Sequence, residues 1–159
     1  MTKQYLNHPL PLLISLIADK SIQKVELLFH PQGFAYQING SLKPEFEKQV
    51  LTFLKSYLSK QNSSLHFLQT NALPVFTQKV LSCLAEIPFG KSMSYGQVAE
   101  SIASPKAARA VGSACGKNPF PLFIPCHRVL ASNSLGGFSS GLHIKKLLLD
   151  FEGHTAFFD

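Results

Sequence analysis

Every strong strand signal in this 159-residue chain lies before Pro74, and from there on the apolar spacing is helical. That change of period divides the chain into residues 1–73 and 74–159 and predicts an α+β protein. In the first part, Lys24-Val25-Glu26-Leu27-Leu28-Phe29 and Phe34-Ala35-Tyr36-Gln37-Ile38 are short β-prone runs. His30-Pro31-Gln32-Gly33 reads as the turn between them, and Asn39-Gly40 as a hairpin-type turn after the second. From Pro44 to about Lys60, Phe46, Val50, Phe53, Leu54, Tyr57 and Leu58 fall on one helical face. Residues 61–74 read as a connection with room for one short strand. The run Leu10 to Ala18 is too short to span a membrane and lacks a small-residue cleavage site, so it reads as core. His8, His30 and His66 are scattered and suggest no ligand set.

In the second part, Phe76, Val80, Leu84 and Ile87 space out an amphipathic helix closed by Pro88 and Gly90. Ser94 can cap a short helix ending near Ile102, with Gln97 reaching back to complete a capping box. Ser104-Pro105 offers a fresh start for a helix from Lys106 to about Cys115, stopped by Gly116. Two short helices joined by a tight turn form a helix-turn-helix pattern. Ala107, Ala108, Ala110, Gly112, Ser113 and Ala114 make the second helix small-sided. That composition suits close packing on a neighbouring helix. It equally suits approach to a narrow surface such as a DNA minor groove, with Lys106 and Arg109 as the charged contacts.

A hydrophobic content of 45% with 15% charged residues fits a chain with a real core. The net charge of +6 suits a polyanionic partner. Three cysteines without a C-x-x-C pair argue against a disulfide framework or a thiolate zinc site, and for a reducing compartment, by default the cytoplasm.

Chemistry concentrates in Ile124-Pro125-Cys126-His127-Arg128-Val129. The chain has two arginines, Arg109 and Arg128, against thirteen lysines. Each arginine therefore marks a place where forked, planar donors matter. A thiol attacks as thiolate and needs a group to take its proton. His127 is adjacent, but neighbours on an extended segment face opposite ways, so a bridging water or a bend near Pro125 is required. The imidazole needs an acid to orient it. Downstream of Cys126 the acids are Asp150, Glu152 and Asp159, and Glu152, closing the last helix before Gly153, is the choice.

Together these motifs resemble the O6-alkylguanine-DNA alkyltransferases, or methylated-DNA–protein-cysteine methyltransferases. The resemblance rests on Phe76-Thr77-Gln78-Lys79-Val80, Ser94-Tyr95, Pro105-Lys106-Ala107-Ala108-Arg109-Ala110-Val111-Gly112, Asn118-Pro119, Ile124 to Val129, and Gly136-Gly137-Phe138-Ser139. It implies a small N-terminal sheet-plus-helix domain of RNase H-like type, then a mostly helical winged helix-turn-helix catalytic domain. It implies irreversible, single-turnover transfer of an alkyl group from O6-alkylguanine in double-stranded DNA to Cys126, with O4-alkylthymine as a second candidate lesion. The protein would act as a monomer from the minor-groove side, without cofactor.

By the same resemblance, Arg109 fills the space left by an everted base, and Tyr95 helps rotate the nucleotide and donates to the base. Asn118 braces the network around the sulfur. His127, through water, is the base, and Glu152 fixes it. Gly137, Phe138, Ser139 and the backbone near Val129 line the guanine pocket. Ser94, Lys106, Ala107, Ala108 and Ser113 face DNA, and Arg128 braces either the two domains or the site through ion pairing. Two departures stand out: Phe138 replaces a frequent tyrosine and Ser140 a frequent glycine. The first domain has no cysteine, so no zinc is expected there. A lesion-binding protein lacking the reactive cysteine is disfavoured by Cys126 itself. A winged-helix regulator is disfavoured by the small-sided helix, and a thiol hydrolase is weaker still.

Overall fold

In the computed structural model, which describes residues 1–154, the chain divides into two units between Gln69 and Thr70. Asp159, one of the acids weighed above, lies outside the described residues.

The first unit carries β1 (Gln4–Tyr5), β2 (Leu12–Phe29) and β3 (Ala35–Leu42) in the order β1-β3-β2. β3 runs antiparallel to β1 and parallel to the first part of β2. Eighteen extended residues would span about 60 Å. Yet the His30 N–H donates to the Pro11 carbonyl at 2.9 Å, so β2 doubles back on itself. The reversal falls at Lys20, whose φ of 63° is the left-handed value a tight turn needs. Asn39-Gly40 is not the expected turn. It lies inside β3, paired with Ile17 and Ala18. A Cβ on Gly40 would stand 2.0 Å from the Ala18 carbonyl oxygen, so glycine is required there by close backbone approach.

Pro44 opens α1 (Pro44–Leu58), with Glu45 and Glu47 in its first turn, where negative charge is favoured. Val50, Phe53, Leu54 and Tyr57 are its buried face. Residues 61–74, all described, hold no strand. Instead, Phe67 stacks on Phe46, ring centres 4.3 Å apart. His30 is buried and satisfied through the Gly33 carbonyl oxygen, 2.8 Å from Nδ1.

The second unit holds α2 (Val75–Ala85), β4 (Met93–Ser94), α3 (Tyr95–Ser101), α4 (Ala108–Gly116), β5 (Val129–Leu130) and α5 (Leu142–Phe151). α2, α3 and α4 pack on one another over Val80, Leu84, Val98, Val111 and Ala114, all buried. The capping box forms as expected: Ser94 Oγ accepts from Gln97 N, and Gln97 Oε1 accepts from Ser94 N. α4 starts later than expected. The Ala107 N–H donates to the Ser104 carbonyl, which turns Pro105-Lys106 into a bend and leaves Ala108 as the first helical residue.

The second unit also contains a short strand pair that no sequence signal announced. β4 and β5 pair in parallel, Met93 with Val129 and Ser94 with Leu130. Two-residue strands carry no periodicity, so only the tertiary pairing makes them visible. That pairing brings the start of α3 beside the segment leaving Cys126. No helix among the described residues is long and apolar enough to cross a membrane.

Candidate active site

Cys126 does not sit on an extended segment. Pro125, at φ −80° and ψ 65°, makes a tight three-residue turn in which Cys126 N donates to the Ile124 carbonyl at 2.8 Å. Cys126–Arg128 then form one turn of 3-10 helix. The bend near Pro125, one of the two alternatives raised above, is therefore present. Asn118 holds it from inside: its Nδ2 donates to the Ile124 carbonyl at 2.8 Å, and its Oδ1 accepts from Phe120 N at 2.9 Å.

Directly after Cys126 in the chain, His127 and Arg128 enter a buried ionic cluster. His127 is fully buried, and its Nε2 is 2.7 Å from Glu152 Oε1. Arg128 grips the same carboxylate through Nε (2.9 Å to Oε2) and Nη2 (2.9 Å to Oε1), while its Nη1 donates to the Ile87 carbonyl at 2.7 Å. The guanidinium also lies over the Phe89 ring, 5.8 Å from its centre. Arg128 is thus a brace within the site, as its forked geometry suits.

The electrostatics assign protons. Burial works against ionised Glu152, but hydrogen-bonded His127 and Arg128 outweigh it and hold the carboxyl at about 2. Since a carboxylate only accepts, His127 Nε2 carries the hydrogen in that contact. Burial pulls the imidazole below its ordinary value, with Glu152 pulling the other way. A neutral ring therefore keeps its lone pair on Nδ1, a buried atom with no hydrogen-bond partner among the described residues. Burial pushes the Cys126 thiol up, opposed by a hydrogen bond from Asn118 and the charge of Lys145. The sulfur at rest is a thiol, and it needs a base to attack.

In front of the sulfur is a cavity of about 340 Å³ lined by Tyr95, Gly112, Cys115, Gly116, Cys126 and the stretch Gly137-Phe138-Ser139. That volume lies within the range of small-molecule sites, about 300–1,000 Å³. Tyr95 reaches it because residue 136 is glycine: a Cβ there would stand 2.5 Å from the phenol oxygen. Burial raises the Tyr95 phenol above its ordinary 10.0, so it stays protonated and can donate. The Phe138 ring meets His127 edge-on, centres 6.5 Å apart. Tyr95 and Gly112 also border a second, open concavity of about 510 Å³, lined by Ser94, Gly96, Ala108, Arg109, Ala131 and Ser132.

Of the residues singled out from sequence, Cys126, Tyr95, Gly137, Phe138 and Ser139 share the cavity. Ser94, Ala108 and Arg109 share the open face. Lys106 and Ser113 are exposed and Ala107 half-buried, but none of the three lines either concavity. Val129 is fully buried beside the site, not among the residues lining the cavity.

Sequence reasoning missed Cys115 and Lys145. Lys145 has a readable signal: it shares the inward face of α5 with Leu148, Leu149 and Glu152, at spacings of three, four and seven.

The chain is similar to known proteins throughout this region. The family model described as 6-O-methylguanine DNA methyltransferase, DNA binding domain, matches residues 75–154. A probable methylated-DNA–protein-cysteine methyltransferase of Acanthamoeba polyphaga mimivirus is 43% identical over 116 residues, 72% of this chain and 76% of the relative. The crystal structure of an O6-methylguanine-DNA methyltransferase from Pyrococcus kodakaraensis KOD1 superposes with a TM-score of 0.69 at 25% identity, covering 89% of this chain and 99% of that one. A Mycobacterium tuberculosis OGT in complex with DNA gives 0.62 at 30% identity, over 78% of this chain and 77% of the other.

Proposed function

The chain belongs to the methylated-DNA–protein-cysteine methyltransferases, and from that premise we propose that it repairs DNA by moving the alkyl group of O6-alkylguanine onto Cys126. The observation that carries the assignment to Cys126 is its place in the wall of a cavity of about 340 Å³, one residue before a histidine that is hydrogen-bonded to Glu152.

The sulfur meets an alkyl carbon that is shielded inside a duplex, so the damaged nucleotide has to leave the stack. α3 and α4 act as the helix-turn-helix of a winged domain spanning residues 74–159, entering from the minor-groove side. Arg109, exposed on the open face next to the cavity, fills the gap left by the base. Ser94, Lys106, Ala107, Ala108 and Ser113 meet the backbone around it. Phe138, Gly137 and Ser139 hold the guanine, and the Tyr95 hydroxyl donates to it. The first unit takes an RNase H-like arrangement.

His127 Nδ1 draws the thiol proton through a bridging water, and Glu152 stabilises the imidazolium that forms. The thiolate attacks the alkyl carbon, a sulfur–carbon bond forms and the carbon–O6 bond breaks. The electron pair leaves with the guanine, which takes up one proton in place of the alkyl group, balanced by the thiol proton that the imidazolium gives back through water. The product is a thioether, and no group in the site reverses it, so each molecule reacts once. O4-alkylthymine presents the same kind of carbon–oxygen bond. We place the protein in the cytoplasm as a monomer.

The test is stoichiometric transfer. A duplex carrying one labelled O6-methylguanine should pass its label to protein up to one equivalent, and Cys126→Ser should abolish this. Undiminished transfer by the serine variant would refute the assignment.

A further inference from the structure

The second unit contains a nucleophile that the proposed chemistry leaves idle. Cys115, in the last turn of α4, lines the same cavity as Cys126. Both are free thiols, Cys126 buried and Cys115 half-buried. Cys83, on α2, is a third free thiol and is not among the residues lining that cavity.

Asn118 holds both cavity cysteines. Its backbone N–H donates to the Cys115 carbonyl at 3.2 Å, and its side chain hydrogen-bonds to the Cys126 thiol. Its Nδ2 also donates to the Ile124 carbonyl at 2.8 Å, the acceptor that Cys126 N uses. The end of α4 and the nucleophile's turn are therefore fastened at one point. The sulfurs also share their surroundings. Burial, then ionised Cys126, hold the Cys115 thiol up at about 12, and both sulfurs oppose the effect of burial on Lys145. Gly137 and Ser139, which line the same cavity, are exposed, so small molecules enter it from solvent.

We propose that Cys115 is the resolving thiol for an oxidised Cys126, so that the cavity holds a reversible disulfide switch over alkyl transfer. This rests on the reading of Cys126 as the activated thiol given above. The oxidant is a hydroperoxide, represented by hydrogen peroxide. His127, through water, takes the Cys126 proton, and the thiolate attacks one peroxide oxygen. A sulfur–oxygen bond forms, the oxygen–oxygen bond breaks, and the departing hydroxide takes the proton from the imidazolium. Cys115 then attacks the sulfur of the sulfenic acid. A sulfur–sulfur bond forms, the sulfur–oxygen bond breaks, and the second hydroxide leaves with the Cys115 proton as water. The two thiols lose two electrons between them, and the peroxide becomes two waters.

A bridged Cys126 has no thiolate to offer, so alkyl transfer stops until a dithiol reductant reopens the bond. The bridge also keeps Cys126 from the sulfinic acid stage, from which a dithiol does not restore it. Such a bond requires α-carbons within about 7 Å, so its formation itself tests how closely the two walls approach.

The experiment exposes the unaltered protein to excess hydrogen peroxide without DNA, digests it without reduction and weighs its cysteine peptides. A peptide pair joined through Cys115 and Cys126 within one molecule is expected. This readout needs no lesion, so it stands apart from whether alkylguanine is the substrate. Cys126 left as a free thiol, carried on to sulfinic acid, or joined to Cys83 or to a second molecule overturns the proposal. Label transfer from an O6-methylguanine duplex should fall as the link forms and return to about nine-tenths with dithiothreitol. In Cys115→Ser, scaled to its own untreated rate, dithiothreitol should restore less than about one-tenth, with Cys126 carrying sulfinic or sulfonic acid. Equal recovery in that variant overturns the proposal. Should the serine variant not fold, the joined peptide from the unaltered protein decides alone.

Discussion

The two arginines of this chain live in opposite conditions. Arg128 is buried, spends its forked donors on Glu152 and the Ile87 carbonyl, and covers an aromatic ring. Arg109 is exposed at the start of α4, beside a concavity open to solvent. The rear of the site is built before any substrate arrives: acid, base and brace already have their partners. The front is left solvated, as a surface must be if it is to exchange water for phosphates and bases. Preorganisation is concentrated where charge has to be stabilised during the reaction.

The largest expected effect breaks the rear. Arg128→Met leaves Glu152 buried with one ionic partner fewer, and removing one member of a buried pair costs about 3–5 kcal/mol. Denaturant melts should show a loss of that size. Arg128→Lys should recover only part of it, because an ammonium cannot reproduce the fork. A variant as stable as the parent would mean that the cluster contributes nothing to the fold.

Acid should erode the same cluster. Glu152 is held at about 2 instead of its ordinary 4.5, so its contribution is complete above about 4.5 and disappears as pH falls through about 2. The amount is on the order of 3 kcal/mol. Stability measured across that window in the protein and in Glu152→Gln should converge at low pH. For catalysis, Glu152→Gln should slow alkyl transfer about a hundredfold or more while leaving DNA binding intact. Unchanged rates would remove the carboxylate from the mechanism.

Smaller effects sharpen the contrast from the front. Ser94→Ala removes the cap of α3 and should cost about 1 kcal/mol, read in the melting midpoint. Arg109→Ala should leave stability within about 0.5 kcal/mol, as for an exposed side chain. It should nonetheless weaken repair of duplex DNA more than reaction with the free alkylated base. Equal losses on both substrates would argue against a role in filling the vacated stack.

How far the sequence could be read followed the range of the forces involved. The Cys126-His127-Arg128 run and the capping box at Ser94 and Gln97 are local patterns, and each was legible. Glu152 was legible because so few acids follow Cys126 in the chain. Lys145 was overlooked because a lysine is ordinarily a solvated residue. Its inward face becomes decisive only once the carbonyls of Val129 and Gly137 are brought to it from two other segments. The β4–β5 pair is similarly non-local: two residues on each side have no period of their own. Asn39-Gly40 misled because asparagine-glycine usually signals a turn, whereas here glycine serves a close approach to Ala18. The reversal of β2 at Lys20 has no glycine to announce it.

Cys126 shares its cavity with a second sulfur, Cys115, and that gives the most direct test of the account. After reaction with a duplex containing O6-methylguanine, peptide mass spectrometry should locate one added methyl group on Cys126 and none on Cys115, whose thiol is held at about 12 by burial. A methyl group on Cys115 instead would contradict the roles given to His127, Glu152 and the turn that presents Cys126.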